Sequence, residues 1–329
     1  MTARPTIHDV ARVAGVAAST VSRAYSQPGR ISDRTREHVL KVAADLGFRP
    51  NPAARALPSG KTLTLGLLVP DITNPFFFGL IRGAERQAAA AGFTLVLGDS
   101  GESAAAEEAY VERLGPGVDG FVLASSRLSE TTLQRIASEY PIVAVNRVQP
   151  GLASVLIDND AGIREAALHL HELGHEQIVY LSGPDESWSN RMRWAALERA
   201  GADLGLRVRR LGPFAPVVAG GTAAAAAAVA DGATAAVAFN ALLAIGTLQR
   251  LAEDGIAVPD QLSVIGCDDI FGADFAGLTT LCADLEQAGR SAVDLLLAHI
   301  DTSNAPEPVS LGSRLEVRRS TGPRATPPR

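Results

Sequence analysis

Six histidines, two cysteines and many carboxylates give this 329-residue chain the residue types for metal, nucleophilic or acid–base chemistry, but not the spacings. His8, His38, His169, His171, His175 and His299 never form His-Glu-x-x-His. There is no Gly-x-Ser-x-Gly elbow and no phosphate loop ending in Gly-Lys-Ser/Thr. His171 and His175 stand at i, i+4 near an expected helix end, where surface capping suits them better than metal binding. Cys267 and Cys282 match no metal-ligand spacing and do not require a disulfide, so a reducing compartment fits. Gly115-Pro-Gly-Val-Asp-Gly120 does satisfy G-x-G-x-x-G. That pattern holds pyrophosphate only when it follows a strand and opens a helix. Here a helix precedes it and a strand follows, so neither a cofactor nor an enzyme is expected.

Two other sets of residues suit binding rather than catalysis. Near the N-terminus, Ala18, Ser19, Ser22 and Arg23 share the polar side of a short helical pattern. An arginine there can take guanine O6 and N7 together or hold a phosphate, and the Thr20 and Ser22 hydroxyls suit phosphates. Further on, polar groups recur after apolar strands: Asp71, Asn74, Asp99, Asn146-Arg147, Asp158 to Asp160, Asn240 and Asp268-Asp269. Open α/β sheets bind ligands at the carboxyl ends of their strands. Asn74-Pro75 is first of all a helix start. Of Phe76 and Phe77, one is expected to stack on a ligand ring and the other to fill the core, in either order.

The elements that position these residues fall into two textures. Residues 1–61 hold ten Lys and Arg against four Asp and Glu, a balance of +6; the remainder holds 20 against 32, or −12. A basic head on an acidic body implies that the head alone meets a polyanion. Ile7, Val10, Ala11 and Ala14 make a first helix broken by Gly15; a second spans Ala17–Ala24; a third, from Ser32, carries Val39, Val42, Ala43 and Leu46 and closes on Gly47. Two helices joined by a short glycine-bearing turn and braced by a third are the helix-turn-helix arrangement. From Thr62, nine apolar strands alternate with helices: Thr64–Val69, Thr94–Leu97, Gly120–Ala124, Ile142–Val145, Val155–Ile157, Ile178–Leu181, Arg207–Leu211, Ala236–Phe239 and Leu262–Gly266. The expected fold is an all-α helix-turn-helix head plus an α/β core of two doubly wound parallel-sheet lobes, of periplasmic-binding-protein type. The alanine-rich stretch Gly220–Phe239 reads as helix then strand, not a membrane span. No secretory signal opens the chain, so a cytoplasmic location is expected.

Thr6-Ile-His-Asp-Val-Ala-Arg-Val-Ala-Gly-Val-Ala-Ala-Ser-Thr-Val-Ser-Arg23, with Ser32-Asp-Arg-Thr-Arg-Glu37 and Leu46-Gly-Phe-Arg-Pro-Asn-Pro-Ala-Ala-Arg-Ala-Leu57, resembles the lactose/galactose repressor family of bacterial regulators. The resemblance covers essentially the whole chain. It implies a repressor that binds a pseudo-palindromic double-stranded operator as a homodimer, a tetramer also being open, under a small-molecule effector such as a sugar, polyol or nucleoside. By position it makes Ala18, Ser19 and Arg23 base-reading residues and extends the DNA-contacting set to His8, Thr20, Ser22, Ser32, Thr35, Asn51, Ala54, Arg55 and Leu57. It makes 51–61 a hinge whose short helix pairs with its twin in the minor groove, with Leu57 as the wedge. Six residues cannot hold a helix alone, because nucleation is costly and propagation brief. Ala17 departs from the family, which places a serine there; its absence removes an N-cap, about 1 kcal/mol. Ala241 stands where the family has Asp.

The same resemblance places Arg191, Phe214, Asn240 and Asp268 at effector-contacting positions; with the strand-end and helix-start residues Asp71, Phe76, Phe77 and Arg147, and with Trp188, they make up the expected effector site. It gives the boundaries 1–50 for the head and 62–329 for the core. The N-lobe is then about 62–160 and 283–311, and the C-lobe about 161–282 and 312–323. A solute-binding receptor would share the lobes but not the basic head. A nucleotide-dependent oxidoreductase would need the glycine pattern in the other order. The tail after Arg319 is short and proline-rich, with no heptads for a coiled coil.

Overall fold

The computed structural model describes residues 5–26, 28–48, 61–302 and 304–324; Asn51, Ala54, Arg55 and Leu57 lie outside them. The chain divides into two units, Met1–Leu63 and Thr64–Arg329. In the first, three helices enclose a small core: α1 (Ile7–Ala14), α2 (Ala18–Ser26) and α3 (Asp33–Asp45). Thr6 opens α1 with a reciprocal cap, its hydroxyl accepting from the Asp9 N–H while the Asp9 carboxylate accepts from the Thr6 N–H. Those Thr6 hydrogen bonds hold the Asp9 carboxyl down at about 2. Gly15 ends the helix at φ 66°, a left-handed conformation that glycine adopts without a Cβ clash. Helix α2 begins at Ala18 rather than Ala17, and its first turn closes as the Thr20 and Val21 N–H groups donate to the Ala17 carbonyl. Val10, Ala11 and Ala14 of α1 meet Val21 and Ala24 of α2 and Val39 and Ala43 of α3. Arg36 and His38 fasten α3 to the Ala24 and Ala14 carbonyls.

The second unit alternates strand and helix. Its strands are β1 (Thr64–Val69), β2 (Thr94–Asp99), β3 (Gly120–Ala124), β4 (Ile142–Val145), β5 (Ala153–Asp158), β6 (Gln177–Leu181), β7 (Arg207–Leu211), β8 (Ala235–Ala238), β9 (Ser263–Cys267), β10 (Thr279–Cys282), β11 (Val309–Gly312) and β12 (Arg314–Glu316). They form two six-stranded sheets, ordered β11-β5-β4-β3-β1-β2 and β12-β10-β9-β8-β6-β7. All pairings are parallel except β10 with β12, an antiparallel edge on an otherwise parallel sheet. The nine expected strands are present, four with the expected bounds (β1, β3, β4 and β7) and five with shifted ends; β10, β11 and β12 are additional. The glycine pattern at 115–120 is a 3₁₀ turn running into β3, a helix-to-strand junction.

The helices are α4 (Phe76–Ala90), α5 (Ala104–Leu114), α6 (Glu130–Glu139), α7 (Asp160–Glu172), α8 (Trp188–Leu204), α9 (Gly221–Asp231), α10 (Ala241–Glu253) and α11 (Leu285–Thr302). Helix α11 returns the chain to the first sheet and packs along α4. The two backbones approach closely: a Cβ on Gly83 would lie 2.0 Å from the Glu286 carbonyl oxygen, and one on Gly289 2.1 Å from that of Leu80. The chain passes between the sheets three times, after β5, β10 and β11. Among the described residues, no helix is long and apolar enough to cross a membrane.

His171 is exposed, but His175 is not the surface cap its spacing suggested. It is 2% exposed, with Nδ1 3.0 Å from the Thr234 hydroxyl and Nε2 3.1 Å from the Gly322 carbonyl. Burial lowers its pKa, which favours the neutral ring that pins the C-terminal segment to the second lobe. Gly83→Ala should push α4 off α11 and cost about 1–3 kcal/mol. Urea denaturation of the full-length protein measures this; an unchanged midpoint would show that the helices yield freely.

Candidate functional site

The head offers one polar helix face. Val21 and Ala24 point α2 into the core, which turns Ser19, Ser22 and Arg23 to solvent, with Ala18 and Thr20 half-buried at the margin. His8 is exposed on α1. Ser32 caps α3, its hydroxyl accepting from the Thr35 N–H and sharing a 2.8 Å hydrogen bond with the Thr35 hydroxyl. Small hydroxyls from the start of α2 and a guanidinium from its last turn, on one exposed face, are what close approach to a phosphate backbone or a base edge requires.

The body offers a cleft between its two lobes, about 400 Å³ with its open mouth included. The first lobe contributes Asn74, Phe76 and Phe77 from the start of α4, then Glu102, Ser125, Arg127 and Asn146 from the turns after β2, β3 and β4. The second contributes Ser187, Ser189 and Arg193 from α8, with Pro216, Phe239, Asn240 and Asp268. Five non-glycine residues among those described have positive φ: Leu63, Glu102, Ser125, Asn146 and Asp268. The last four all line the cleft. Each stands just past the carboxyl end of a strand, where a left-handed residue turns the chain sharply. Such conformations cost about 1–3 kcal/mol each and persist where the surroundings enforce them, commonly at binding sites.

Arg193 and Asp268 are the strongest charges in the second wall. Arg193 is 3% exposed, yet its guanidinium reaches Asp268 at 2.5 Å, donates to the Phe239 carbonyl and lies 5.4 Å over the Phe239 ring. Burial opposes its charge; the Asp268 carboxylate outweighs that and raises its pKa, so it stays ionised. Asn190 fixes the helix that carries it. Its Oδ1 accepts from the Tyr180 hydroxyl and the Gly183 N–H, and its Nδ2 donates to the Gly183 and Pro184 carbonyls. Beneath the site, burial raises the pKa of the Cys267 thiol to about 12, which keeps it an inert core residue. In the first wall, Arg127 pairs with Glu102 at 2.6 Å.

Of the residues expected to hold an effector, Phe76, Phe77, Asn240 and Asp268 line the cleft; Asp71, Arg147, Trp188, Arg191 and Phe214 do not. Asp71 closes the turn before α4 by accepting from Thr73. Arg147 is buried and donates to the Ser126 and Leu128 carbonyls, supporting the loop that carries Arg127. Arg191 is exposed and donates to the Asp185 and Glu186 carbonyls. Trp188 is half-buried at the start of α8, and Phe214 packs against the core. Asn74 accepts from the Phe76 N–H, and Asn240 caps α10 through the Leu243 N–H while donating to the Pro216 carbonyl. Sequence reasoning missed Arg193, Phe239, Glu102 and Arg127. Arg193 was findable: Ser189, Asn190, Arg193, Ala196, Leu197 and Ala200 form the buried stripe of α8, and Arg191 falls off it.

Residues 6–51 match the profile of bacterial regulatory proteins of the lacI family, and residues 167–321 that of a periplasmic binding protein-like domain. The chain is 32% identical over 333 residues to the HTH-type transcriptional regulator DegA of Bacillus subtilis, covering 97% of this chain and 99% of that one. It superposes on a lac repressor dimer bound to operator and an anti-inducer with TM-score 0.87 at 25% identity, covering 97% of this chain and 100% of that one. A lacI-family regulator from Enterococcus faecium with bound ribose gives TM-score 0.71 at 30% identity, over 79% of this chain and 99% of that one. Helical head and paired lobes define a DNA-binding transcription regulator with an effector-type domain. The chain belongs to the lacI family of bacterial regulatory proteins.

Removing one partner of a buried pair strands the other charge. Asp268→Ala should therefore cost about 3–5 kcal/mol, whereas Arg191→Ala should stay within about 0.5 kcal/mol. Chemical denaturation of both variants decides; equal losses would return Arg191 to the cleft wall.

Proposed function

We propose that the protein is a cytoplasmic transcription repressor that binds a pseudo-palindromic operator as a dimer, its affinity set by a small hydroxylated effector in the cleft. One observation carries this reading: a single chain joins a basic head, exposing Ser19, Ser22 and Arg23, to an acidic body with a polar interlobe cleft. Arg23 would read bases or phosphates, Ala18 would let the helix approach a base edge, and the hydroxyls of Ser19, Thr20, Ser22, Ser32 and Thr35 would hold the strand. His8 would flank them. Asn51, Ala54, Arg55 and Leu57 would belong to the hinge helix that pairs with its twin in the minor groove. The ribose held by a family relative supports an effector of monosaccharide size.

Residues from both lobes would touch the effector, and that geometry makes a switch. A ligand shifts a two-state protein only through its difference in affinity for the states. Contacts from opposite walls supply such a difference when the lobes rotate, and rotation would alter the spacing of the two hinge segments in a dimer.

The test is binding of full-length protein to a DNA fragment enriched from a random library. The enriched site should be two-fold symmetric, and log K should fall with log salt by roughly 0.9 per phosphate neutralised. Leu57→Ala should weaken binding by about tenfold or more through loss of the wedge, with the core melting temperature unchanged. Affinity retained across a several-fold rise in salt would contradict the reading. A lowered core melting temperature in Leu57→Ala would make Leu57 a packed linker residue.

A further inference from the structure

The cleft walls are charged, but their cations are already answered from within the same wall. In the first lobe, Arg127 Nε and Nη2 both reach Glu102 Oε2, at 2.7 and 2.6 Å, and Nη1 donates to the Ser125 carbonyl at 2.7 Å. All three nitrogens are engaged, and the side chain is 9% exposed against 34% for Glu102. In the second lobe, Arg193 gives its two terminal nitrogens to Asp268 and the Phe239 carbonyl while its buried Nε is left without a partner, and it too is less exposed than its carboxylate partner, 3% against 11%. In each pair the guanidinium is withdrawn and the carboxylate stands nearer to solvent. The left-handed backbone at Glu102 and at Asp268 turns both residues into the cleft lining.

An entering ligand therefore meets two carboxylates, not two cations. A phosphate or carboxylate group would have to displace Glu102 from Arg127 or Asp268 from Arg193, and would stand beside like charge in a partly desolvated space. Ligand hydroxyls and N–H groups suffer neither cost, because a carboxylate has acceptor lone pairs to spare when one oxygen is engaged by an arginine. Phe76, Phe77 and Phe239 add apolar lining, which suits an uncharged ligand.

We propose that the cleft takes an uncharged, hydroxyl-rich ligand and rejects its phosphorylated form, with Glu102 as the residue that enforces the discrimination. This rests on the reading of the cleft as the effector site. Glu102 acts by holding Arg127 and by presenting negative charge where an anionic substituent would sit.

The test is calorimetric titration of the full-length protein with two matched pairs, D-ribose with D-ribose 5-phosphate and adenosine with adenosine 5′-monophosphate. At least one neutral member should bind, about tenfold or more tighter than its phosphate. Glu102→Gln keeps the shape and removes the charge, so it should shrink that ratio several-fold; Glu102→Asp, which keeps the charge, should largely restore it. Tighter binding of either phosphate by the wild-type protein overturns the proposal. So does a ratio unchanged in Glu102→Gln when its thermal unfolding matches wild type. If neither neutral nor phosphorylated members bind, the reading of the cleft as a site for small polyols or nucleosides fails, and the discrimination with it.

Discussion

A guanidinium taken almost wholly out of water is the constraint on which the second lobe is built. Arg193 cannot shed its proton, so the fold must answer its charge, and Asp268 does so at 2.5 Å. That demand explains several otherwise unrelated features. Asp268 accepts φ 76°, costly for a residue with a Cβ, because the turn delivers its carboxylate to the arginine. Asn190 ties the start of α8 to the Gly183-Pro184 loop, which fixes the direction from which Arg193 arrives. The Phe239 carbonyl, just past the end of β8, takes a further hydrogen bond, so β6 to α8, β8 and β9 all converge on one group.

The first lobe solves a related problem with less burial. Arg127 and Glu102 come from the turns after β3 and β2, and the Arg127 N–H also donates to the buried carboxyl of Glu107. Burial raises the Glu107 pKa, and the hydrogen bonds from Ser126 and Arg127 offset part of that rise. Arg147, under the same loop, fixes its carbonyls. Opposite this network, the glycine-lined contact of α4 with α11 sets where Phe76 and Phe77 enter the cleft. Each wall is thus internally compensated. Neither needs the other to satisfy its charges.

The head was legible because its signals are local: apolar residues at helical spacing and glycine stops at Gly15 and Gly47. The central parallel strands, such as β1, β3, β4, β8 and β9, were legible because burial on both faces makes them continuous apolar runs. Strands β10, β11 and β12 were not, being three or four residues long and, for β11 and β12, half-exposed. In the cleft, Asp268 and Asn240 follow strands and Phe76 and Phe77 open a helix, which is why the sequence points to them; both phenylalanines line the cleft and both are buried in the core. Arg191 was chosen over Arg193 because two residues along a helix turn a side chain to nearly the opposite side, and only the buried stripe gives the phase. Glu102 and Arg127 could not be found by spacing, because a left-handed turn, which the side-chain type does not announce, aims them inward.

The dependence of the cleft on its buried pair is measured most directly by a double-mutant cycle in urea on the full-length protein. The variants are Arg193→Met, Asp268→Leu and the two together. Each single substitution should be strongly destabilising, because each strands a buried group. The double variant should be no worse than the more damaging single one, which corresponds to a coupling of about 2–3 kcal/mol. Losses that add to within about 0.5 kcal/mol would show that the two residues do not depend on each other, and that the cleft is organised by something else.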